Sequence, residues 1–254
     1  MYPIPQKPKA ADLLKGKRAL VTSSKAYMGP AICERFAEEG ATVIEVETPY
    51  FETSREVNDI VAAAGDIDIL VINQSFAARH SASDEIEDSY YKEIMKALPE
   101  NTMWFARAAL HQMMPRQAGK IVAVTSGAAL YGAPESAVYT CARGAQDALL
   151  YTMAHEAAAF NVQINIIGQN IVKNPTFWSD ETINTPYIQE MLKHDVPAGR
   201  FAEGWETADL AVFLASDRNN FLCGERLAFT GGWITWSRDI NGIPWGDNSA
   251  RGQA

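Results

Sequence analysis

The chain has 254 residues and a mass of 27.9 kDa, which suits one large domain over residues 1–254 with a substantial core. Its formal net charge of −9 and isoelectric point near 5.0 argue against nucleic acid and anionic membrane surfaces as partners. No stretch approaches the ~18 consecutive apolar residues of a membrane span.

The N-terminal segment over residues 1–15 carries three prolines and no continuous apolar run, so we expect an irregular stretch rather than a secretory signal. Cys33, Cys141 and Cys223 lack CxxC spacing, which favours reduced thiols in a cytoplasmic protein. The four histidines lack the spacing of metal ligands, and no metal site is expected.

From there on, short β-branched runs typical of buried strands alternate with helical stretches. The predicted strands are RALVTS, ATVIEV, IDILVIN, GKIVAVTS, VQINIIG and a late RLAFTGGW. The predicted helices cover 30–39, 53–64, 84–116 (as two helices), 138–159, 184–194 and 206–216. This alternation predicts a single Rossmann-like three-layer α/β domain, with a parallel sheet of about seven strands and helices on both faces. Its sites should lie at the carboxyl ends of the strands, and the tail over 237–254 should be irregular.

The loop after the first strand, within VTSSKAYMGPAI, lies where a dinucleotide-binding enzyme carries glycines. Those glycines let the backbone approach a pyrophosphate closely. Here Tyr27 and Met28 fill the space and only Gly29 is a glycine. The loop therefore indicates either a lost nucleotide site or a site rebuilt for another ligand.

Three side chains with complementary chemistry are predicted to converge at the sheet edge. Ser126 closes the strand GKIVAVTS, and twelve residues separate it from Tyr139 at the start of a long helix. Arg143 follows four positions later and therefore lies one turn along the same helical face.

This trio suits proton transfer to or from a substrate hydroxyl. A free tyrosine side chain has a pKa of about 10 and is a poor base at neutral pH. The permanent charge of Arg143 would favour the phenolate of Tyr139, while Ser126 would hold the substrate hydroxyl. We therefore expect an apparatus that makes or quenches an alkoxide.

These residues resemble the short-chain dehydrogenase/reductase superfamily, in which the corresponding pattern is Ser…Tyr-x-x-x-Lys. Arginine in place of that lysine, together with an aromatic residue in the glycine loop, resembles a cofactor-independent branch, the halohydrin (haloalcohol) dehalogenases. Their signatures T-x4-[F/Y]-x-G and S-x12-Y-x3-R are both present, the first from Thr22 through Tyr27 to Gly29 and the second from Ser126 through Tyr139 to Arg143. The likeness extends over nearly the whole chain.

The resemblance implies a carbon–halogen lyase without a cofactor. Tyr139 would deprotonate a vicinal haloalcohol held by Ser126, and the alkoxide would displace halide to give an epoxide. In reverse, azide, cyanide or nitrite would open the epoxide. The halide would lie where a large loop side chain vacates the nucleotide site. Its pocket is expected to use the backbone N–H groups of Gln169, Asn170 and Ile171, walled by Tyr27, Phe177 and Trp178.

Two other functions stay open. Glu47, at the end of the second predicted strand, matches the acid that NAD-binding relatives place on the ribose hydroxyls, and it favours an NAD(P)-dependent reductase with an atypical loop. A non-catalytic member of the superfamily is the third possibility, although the complete Ser126, Tyr139 and Arg143 set argues against it.

The resemblance also implies a homotetramer. The predicted helices near 101–116 and 139–159 are long and rich in Ala, Met and Leu, as the dimer-forming helices of the superfamily are. The tail carries Trp236 and Trp245, either of which could enter a neighbouring subunit's pocket.

Overall fold

The computed structural model describes residues 5–233, which form one α/β domain. Within them lie six strands: β1 (Arg18–Thr22), β2 (Thr42–Val46), β3 (Ile69–Ile72), β4 (Gly119–Ser126), β5 (Val162–Gln169) and β6 (Arg226–Phe229). They make a single sheet in the order β2-β1-β3-β4-β5-β6, and every neighbouring pair is parallel. The Rossmann-like fold predicted from the sequence is confirmed.

Helices connect the strands. They are α1 (Gly29–Glu38), α2 (Ser54–Ala63), α3 (Asp88–Met95), α4 (Asn101–Arg116), α5 (Ala128–Tyr131), α6 (Ala137–Ala158), α7 (Asp180–Ile183), α8 (Pro186–Asp195) and α9 (Gly204–Ala215). None of the helices within residues 5–233 combines the length and apolar character that a bilayer crossing requires.

The core has two layers because successive strand residues face opposite sides of the sheet. Leu20, on β1, packs with the helices α2, α4 and α6, whereas its neighbour Val21 packs with α1 and α9. Strands buried on both faces are continuous apolar runs, such as Ile69–Ile72 in β3. The helices therefore cover both faces, and the carboxyl ends of the strands are left for the loops.

The predicted helical region 84–116 contains a local widening. A π-helical turn over Lys96–Glu100 separates α3 from α4 and contains Pro99. Proline lacks an N–H and its ring clashes with the carbonyl four residues earlier, which disfavours a regular α-turn. The Asn101 side chain compensates by donating to Lys96 O at 2.9 Å.

Most predicted elements lie within two residues of their observed bounds, and the exceptions have physical reasons. The last strand ends at Phe229, three residues after Arg226, because Gly231 and Gly232 adopt positive φ and turn the chain away. The short helices α5 and α7, of four residues each, lack the periodic pattern that longer helices show. The tail 237–254 lies outside the described residues, as do both tryptophans singled out from the sequence, Trp236 and Trp245.

Candidate active site

The structure brings Ser126, Tyr139 and Arg143 to one edge of the sheet. Ser126 is the last residue of β4, and its Oγ accepts a hydrogen bond from the Ala128 N–H at 3.2 Å. Tyr139 and Arg143 lie on the first two turns of α6. The Arg143 Nε–H donates to the Tyr139 hydroxyl oxygen at 3.2 Å. The Ser126 and Tyr139 side chains line the same cavity.

Arg143 is completely buried and lies beneath the cavity rather than in its wall. Besides Tyr139, its guanidinium donates to Gln146 Oε1 at 3.0 Å and to Gln74 O at 3.3 Å. All three acceptors are neutral. Burial by itself would lower the pKa of Arg143, but the neighbouring Tyr139 and Tyr27 outweigh it and the pKa is raised, so the side chain stays charged.

A second arginine, with a buried side chain, fixes the strand end that carries Ser126. Arg226 donates from Nη2 to Ser126 O and from Nε to Asp147 Oδ2, both at 2.7 Å. Gly168 makes room for it, since a Cβ at that position would lie 2.3 Å from the Arg226 guanidinium carbon. Asp147 is thus the ion-pair partner of Arg226, which leaves Arg143 without a carboxylate at ion-pair distance among residues 5–233.

The backbone N–H groups at the end of the loop between β1 and α1 are already hydrogen-bonded to acceptors within the protein. Tyr27 N–H donates to Thr176 Oγ1 at 2.6 Å, and Met28 N–H to Asn73 Oδ1 at 3.2 Å. The Gly29 N–H donates to Ala26 O at 2.9 Å, and Pro30 has no N–H. Four consecutive residues at the start of α1 therefore have no N–H free for a phosphate oxygen, the contact on which a dinucleotide site depends.

The Tyr27 side chain forms a wall between Arg143 and the cavity. Only 5% of it is exposed, its hydroxyl donates to Thr125 O at 2.9 Å, and its ring meets the Phe177 ring edge-on at 5.6 Å between centroids. The Arg143 guanidinium carbon lies 5.7 Å from the centre of the Tyr27 ring. Burial, reinforced by the nearby Tyr139, raises the pKa of Tyr27 far above its ordinary value. Tyr27 is therefore a neutral wall residue rather than a base.

The cavity has a volume of about 210 Å³ and is largely apolar. All six residues that the sequence assigns to an anion pocket line it together with Ser126 and Tyr139: Tyr27, Gln169, Asn170, Ile171, Phe177 and Trp178. Ala78, Ala128, Ala133 and Trp233 complete the apolar wall, and at the exposed side His80 Nδ1 lies 3.1 Å from Ser136 Oγ.

The backbone donors of the expected anion pocket are arranged differently from the prediction. The Asn170 N–H donates to Phe229 O at 3.1 Å, and the Ile171 N–H to Asn170 Oδ1 at 2.9 Å, so neither is free for an anion. Ile171 has a φ of +59°, a conformation that a β-branched residue rarely adopts and that turns the chain sharply. The next N–H, of Val172, donates to no acceptor among residues 5–233, and Val172 lines the cavity.

Two asparagines that sequence reasoning missed hold the cavity walls. Asn73 donates from Nδ2 to Ser23 O and Ala26 O, and so fixes the loop that carries Tyr27. Asn174 Oδ1 accepts from the Thr176 and Phe177 N–H groups, while its Nδ2 donates to Val172 O. The signals were present, since Asn73 follows a fully apolar strand and Asn174 precedes a proline, a pattern typical of turns.

Glu47 directly follows β2, as the sequence predicts. It is exposed, and its carboxylate lies 4.0 Å from Lys25 Nζ, whose shorter ion pair is with Glu45 at 2.5 Å. No contact within the described chain joins it to the cavity.

Known proteins place the chain in a family. The family described as enoyl-(acyl carrier protein) reductase, of short-chain dehydrogenase type, matches residues 51–234. L-xylulose reductase of Bos taurus is 27% identical over 246 residues, covering 87% of this chain and 98% of its own. The 3-oxoacyl-[acyl-carrier-protein] reductase of Thermotoga maritima is 26% identical over 249 residues, covering 87% and 99%.

Among solved structures, a halohydrin dehalogenase bound to ethyl (2S)-oxiran-2-ylacetate superimposes with a TM-score of 0.80. It is 24% identical and covers 88% of this chain and 100% of its own, a likeness that establishes the fold alone. The reductase-family match covers well over half of the chain, including the strands and helices that carry Ser126, Tyr139 and Arg143. The protein therefore belongs to the short-chain dehydrogenase/reductase superfamily.

Proposed function

We propose that the protein is a cofactor-independent haloalcohol dehalogenase, a carbon–halogen lyase that converts vicinal haloalcohols to epoxides and halide. The observation on which the proposal rests is that Ser126, Tyr139 and Tyr27 line the same cavity. The first two would handle the alcohol, and the third fills space that a nucleotide phosphate would need.

In the forward direction, Ser126 Oγ accepts a hydrogen bond from, or donates one to, the substrate hydroxyl, and the Tyr139 phenolate takes the hydroxyl proton. The alkoxide electron pair then attacks the adjacent carbon from the side opposite the halogen. The carbon–oxygen bond forms as the carbon–halogen bond breaks, and halide leaves. Tyr139 returns its proton to solvent, and Arg143, 3.2 Å from the phenol oxygen, stabilises the phenolate between these steps.

The leaving halide needs a weakly polar pocket on the far side of the reacting carbon. The Val172 N–H supplies a donor, and the edges of aromatic rings carry a partial positive charge. Phe177 and Trp178 line the same wall, while the Asn170 and Gln169 side chains supply polar atoms. In the reverse reaction, azide, cyanide or nitrite would occupy this pocket and open the epoxide, with Tyr139 protonating the oxygen.

An NAD(P)-dependent reductase is the second candidate. Glu47 at the end of β2 and the reductases among the similar proteins favour it. The occupied N–H groups from Tyr27 to Gly29 and the absent one at Pro30 argue against it, because the phosphate approach offers no donors there.

One assay distinguishes the two candidate functions: a simple vicinal bromoalcohol is incubated with the enzyme in the absence of nucleotide. Halide release that is lost in Tyr139→Phe and kept in the matched control Tyr151→Phe, on the same helix, would support the dehalogenase. Nucleotide-dependent oxidation of the alcohol, with micromolar binding of NADH or NADPH in a fluorescence titration, would replace it with the reductase.

We infer further that the protein is a cytoplasmic homotetramer. An exposed groove along α3, α4 and α6 is lined by Tyr91, Met95, Pro99, Met103 and Leu149. A second groove lies between α4 and α6, around Leu110 and Met153. Light scattering at micromolar concentration checks the inference, and a monomer would refute it.

A further inference from the structure

Gln146 connects the Arg143 guanidinium to a neighbouring helix. It lies on α6, is 1% exposed, and accepts from Arg143 Nη1 through its Oε1 at 3.0 Å. At the other end of the amide, Nε2 donates to Thr102 Oγ1 at 2.6 Å and to Leu98 O at 3.4 Å. The amide is therefore held at both ends, on α6 and on the start of α4.

Arg143, Leu98 O and Thr102 together fix which way the amide of Gln146 is turned. The Thr102 hydroxyl donates its single proton to Gln74 Oε1 at 2.7 Å, so towards Gln146 it can only accept. Of the two amide atoms, only Nε2 can donate, which turns Oε1 towards Arg143. A reversed amide would set N–H groups against the guanidinium N–H groups and leave both unpaired in a buried site.

The neutrality of Gln146 matters as much as its orientation. Glutamate has nearly the same shape and would accept the same hydrogen bond, but its negative charge would compensate the guanidinium at about 3 Å. A buried arginine usually has such a carboxylate partner, as Arg226 has in Asp147. Arg143 instead has an amide, a backbone carbonyl and a phenol as acceptors.

Resting on the proposed function, we propose that Gln146 is a positioning residue, held by Thr102 and Gln74. It aims the Arg143 guanidinium at Tyr139 and, being neutral, leaves the positive charge of Arg143 for the phenolate. Its action on the reaction passes through Arg143, since Gln146 does not line the cavity.

Other ionisable groups also face the Tyr139–Arg143 pair, and all of them are present in the wild type and in every Gln146 variant alike. Burial raises the pKa of both Tyr27 and Tyr90, so these phenols stay neutral through the working range. The groups that surround the pair are Tyr27 after β1, His80 after β3, Tyr90 on α3, Asp147 on α6 and Arg226 on β6.

The test compares Gln146→Glu and Gln146→Leu with the wild type. Ionisation of Tyr139 is followed as tyrosinate absorbance, after subtracting the same titration of the matching Tyr139→Phe protein. We expect Gln146→Glu to move the midpoint of the titration to higher pH by about one unit or more, because the carboxylate competes for the cation. Gln146→Leu should move it less, while lowering kcat through loss of orientation. An unmoved midpoint in folded Gln146→Glu would overturn the proposal.

Gln163→Glu is the matched control, because Gln163 is another buried glutamine that accepts from a cation, Lys120 Nζ, at 2.6 Å. Lys120 lies six residues before Ser126 on β4, about 20 Å away at ~3.3 Å per residue. This variant should leave the Tyr139 midpoint in place. If it moved the midpoint as far as Gln146→Glu does, a general response to added charge would explain both, and the proposal would fall.

A second pair of variants covers the case in which the Gln146 variants do not fold. Thr102→Val removes the hydroxyl that orients the amide and should lower kcat several-fold with little change in KM, while Thr102→Ser should restore kcat. Failure of the serine to restore it would remove Thr102 from the proposal. The absorbance titration needs no substrate, so it decides the role of Gln146 even if the wild type releases no halide and the proposed function fails.

Discussion

Two tyrosines lie beside the same arginine, and their hydroxyls make hydrogen bonds of opposite direction. The Arg143 guanidinium carbon is 5.7 Å from the centre of the Tyr27 ring and 5.2 Å from the centre of the Tyr139 ring. The Tyr27 hydroxyl donates to the main-chain Thr125 O, whereas the Tyr139 hydroxyl accepts from Arg143. Losing its proton would cost Tyr27 a hydrogen bond and leave two oxygens facing each other; the same loss would strengthen the contact of Tyr139. Burial and hydrogen-bond direction, more than distance from the charge, distinguish the wall residue Tyr27 from the proposed base Tyr139.

The largest effect that would test this contrast is expected from Tyr139→Phe. Removing a proton-transfer group typically costs a factor of 10²–10⁴, so we expect halide release to fall at least about a hundred-fold. Circular dichroism should show an unchanged fold, since the ring is kept. Substantial turnover in the folded variant would place the base elsewhere.

Arg143→Met should have the next largest effect, and it should change the pH dependence as well as the rate. A base works deprotonated, so the rate should rise with pH and then level off. Without the cation this rise should move to higher pH, and the rate at neutral pH should fall about ten-fold or more. Arg143→Lys should recover part of the loss, because a charge remains with poorer geometry. A well-folded Arg143→Met with an unmoved profile would assign Arg143 a structural role only.

Asn174→Ala should weaken binding of the halide and leave proton transfer by Tyr139 unchanged. Its side chain accepts from the Thr176 and Phe177 N–H groups, and without it the cavity wall that carries Phe177 loses two restraints. We expect inhibition by added bromide to weaken about ten-fold and the alkaline rise of the rate to stay in place. A moved pH profile with unchanged bromide inhibition would show that this segment serves Tyr139 instead.

Tyr27→Phe should have the smallest effect on catalysis. The ring that lines the cavity is kept, and only the hydrogen bond to Thr125 O is lost. We expect kcat to stay within about three-fold, with a loss of about 1 kcal/mol in the free energy of unfolding measured by urea denaturation. A fall in rate as large as that of Tyr139→Phe would mean that both hydroxyls take part in the reaction, and it would contradict the distinction between the two tyrosines.

The fold could be predicted from the sequence because its signals are local and repeated. The strands around Ile69 and Val122 are continuous apolar runs, and the helices between them have a regular period. The placement of Ser126, Tyr139 and Arg143 could be predicted for the same reason, since a strand end and one helical turn fix them relative to one another.

The cavity proposed to hold the anion could be predicted only as a set of lining residues. Which N–H groups are free depends on the left-handed turn at Ile171 and on acceptors as distant in sequence as Phe229, and no local pattern encodes either. The role proposed for Gln146 could not be predicted from the sequence either. A glutamine in a helix is usually solvated, and its partner Thr102 is 44 residues away. These contacts exist only after the helices have packed.

The loop that carries Tyr27 has an evolutionary consequence. Its donors are satisfied by Thr176 and Asn73 on two distant segments, and Pro30 supplies none. A mutation that shortened Tyr27 alone would empty the space but would free neither the Tyr27 N–H nor the Met28 N–H, so one substitution would not supply donors for a nucleotide phosphate. Several substitutions on separate segments would have to arrive together, each without benefit by itself. If the proposed function holds, restoring a nucleotide site in this chain is a problem of epistasis rather than of one residue.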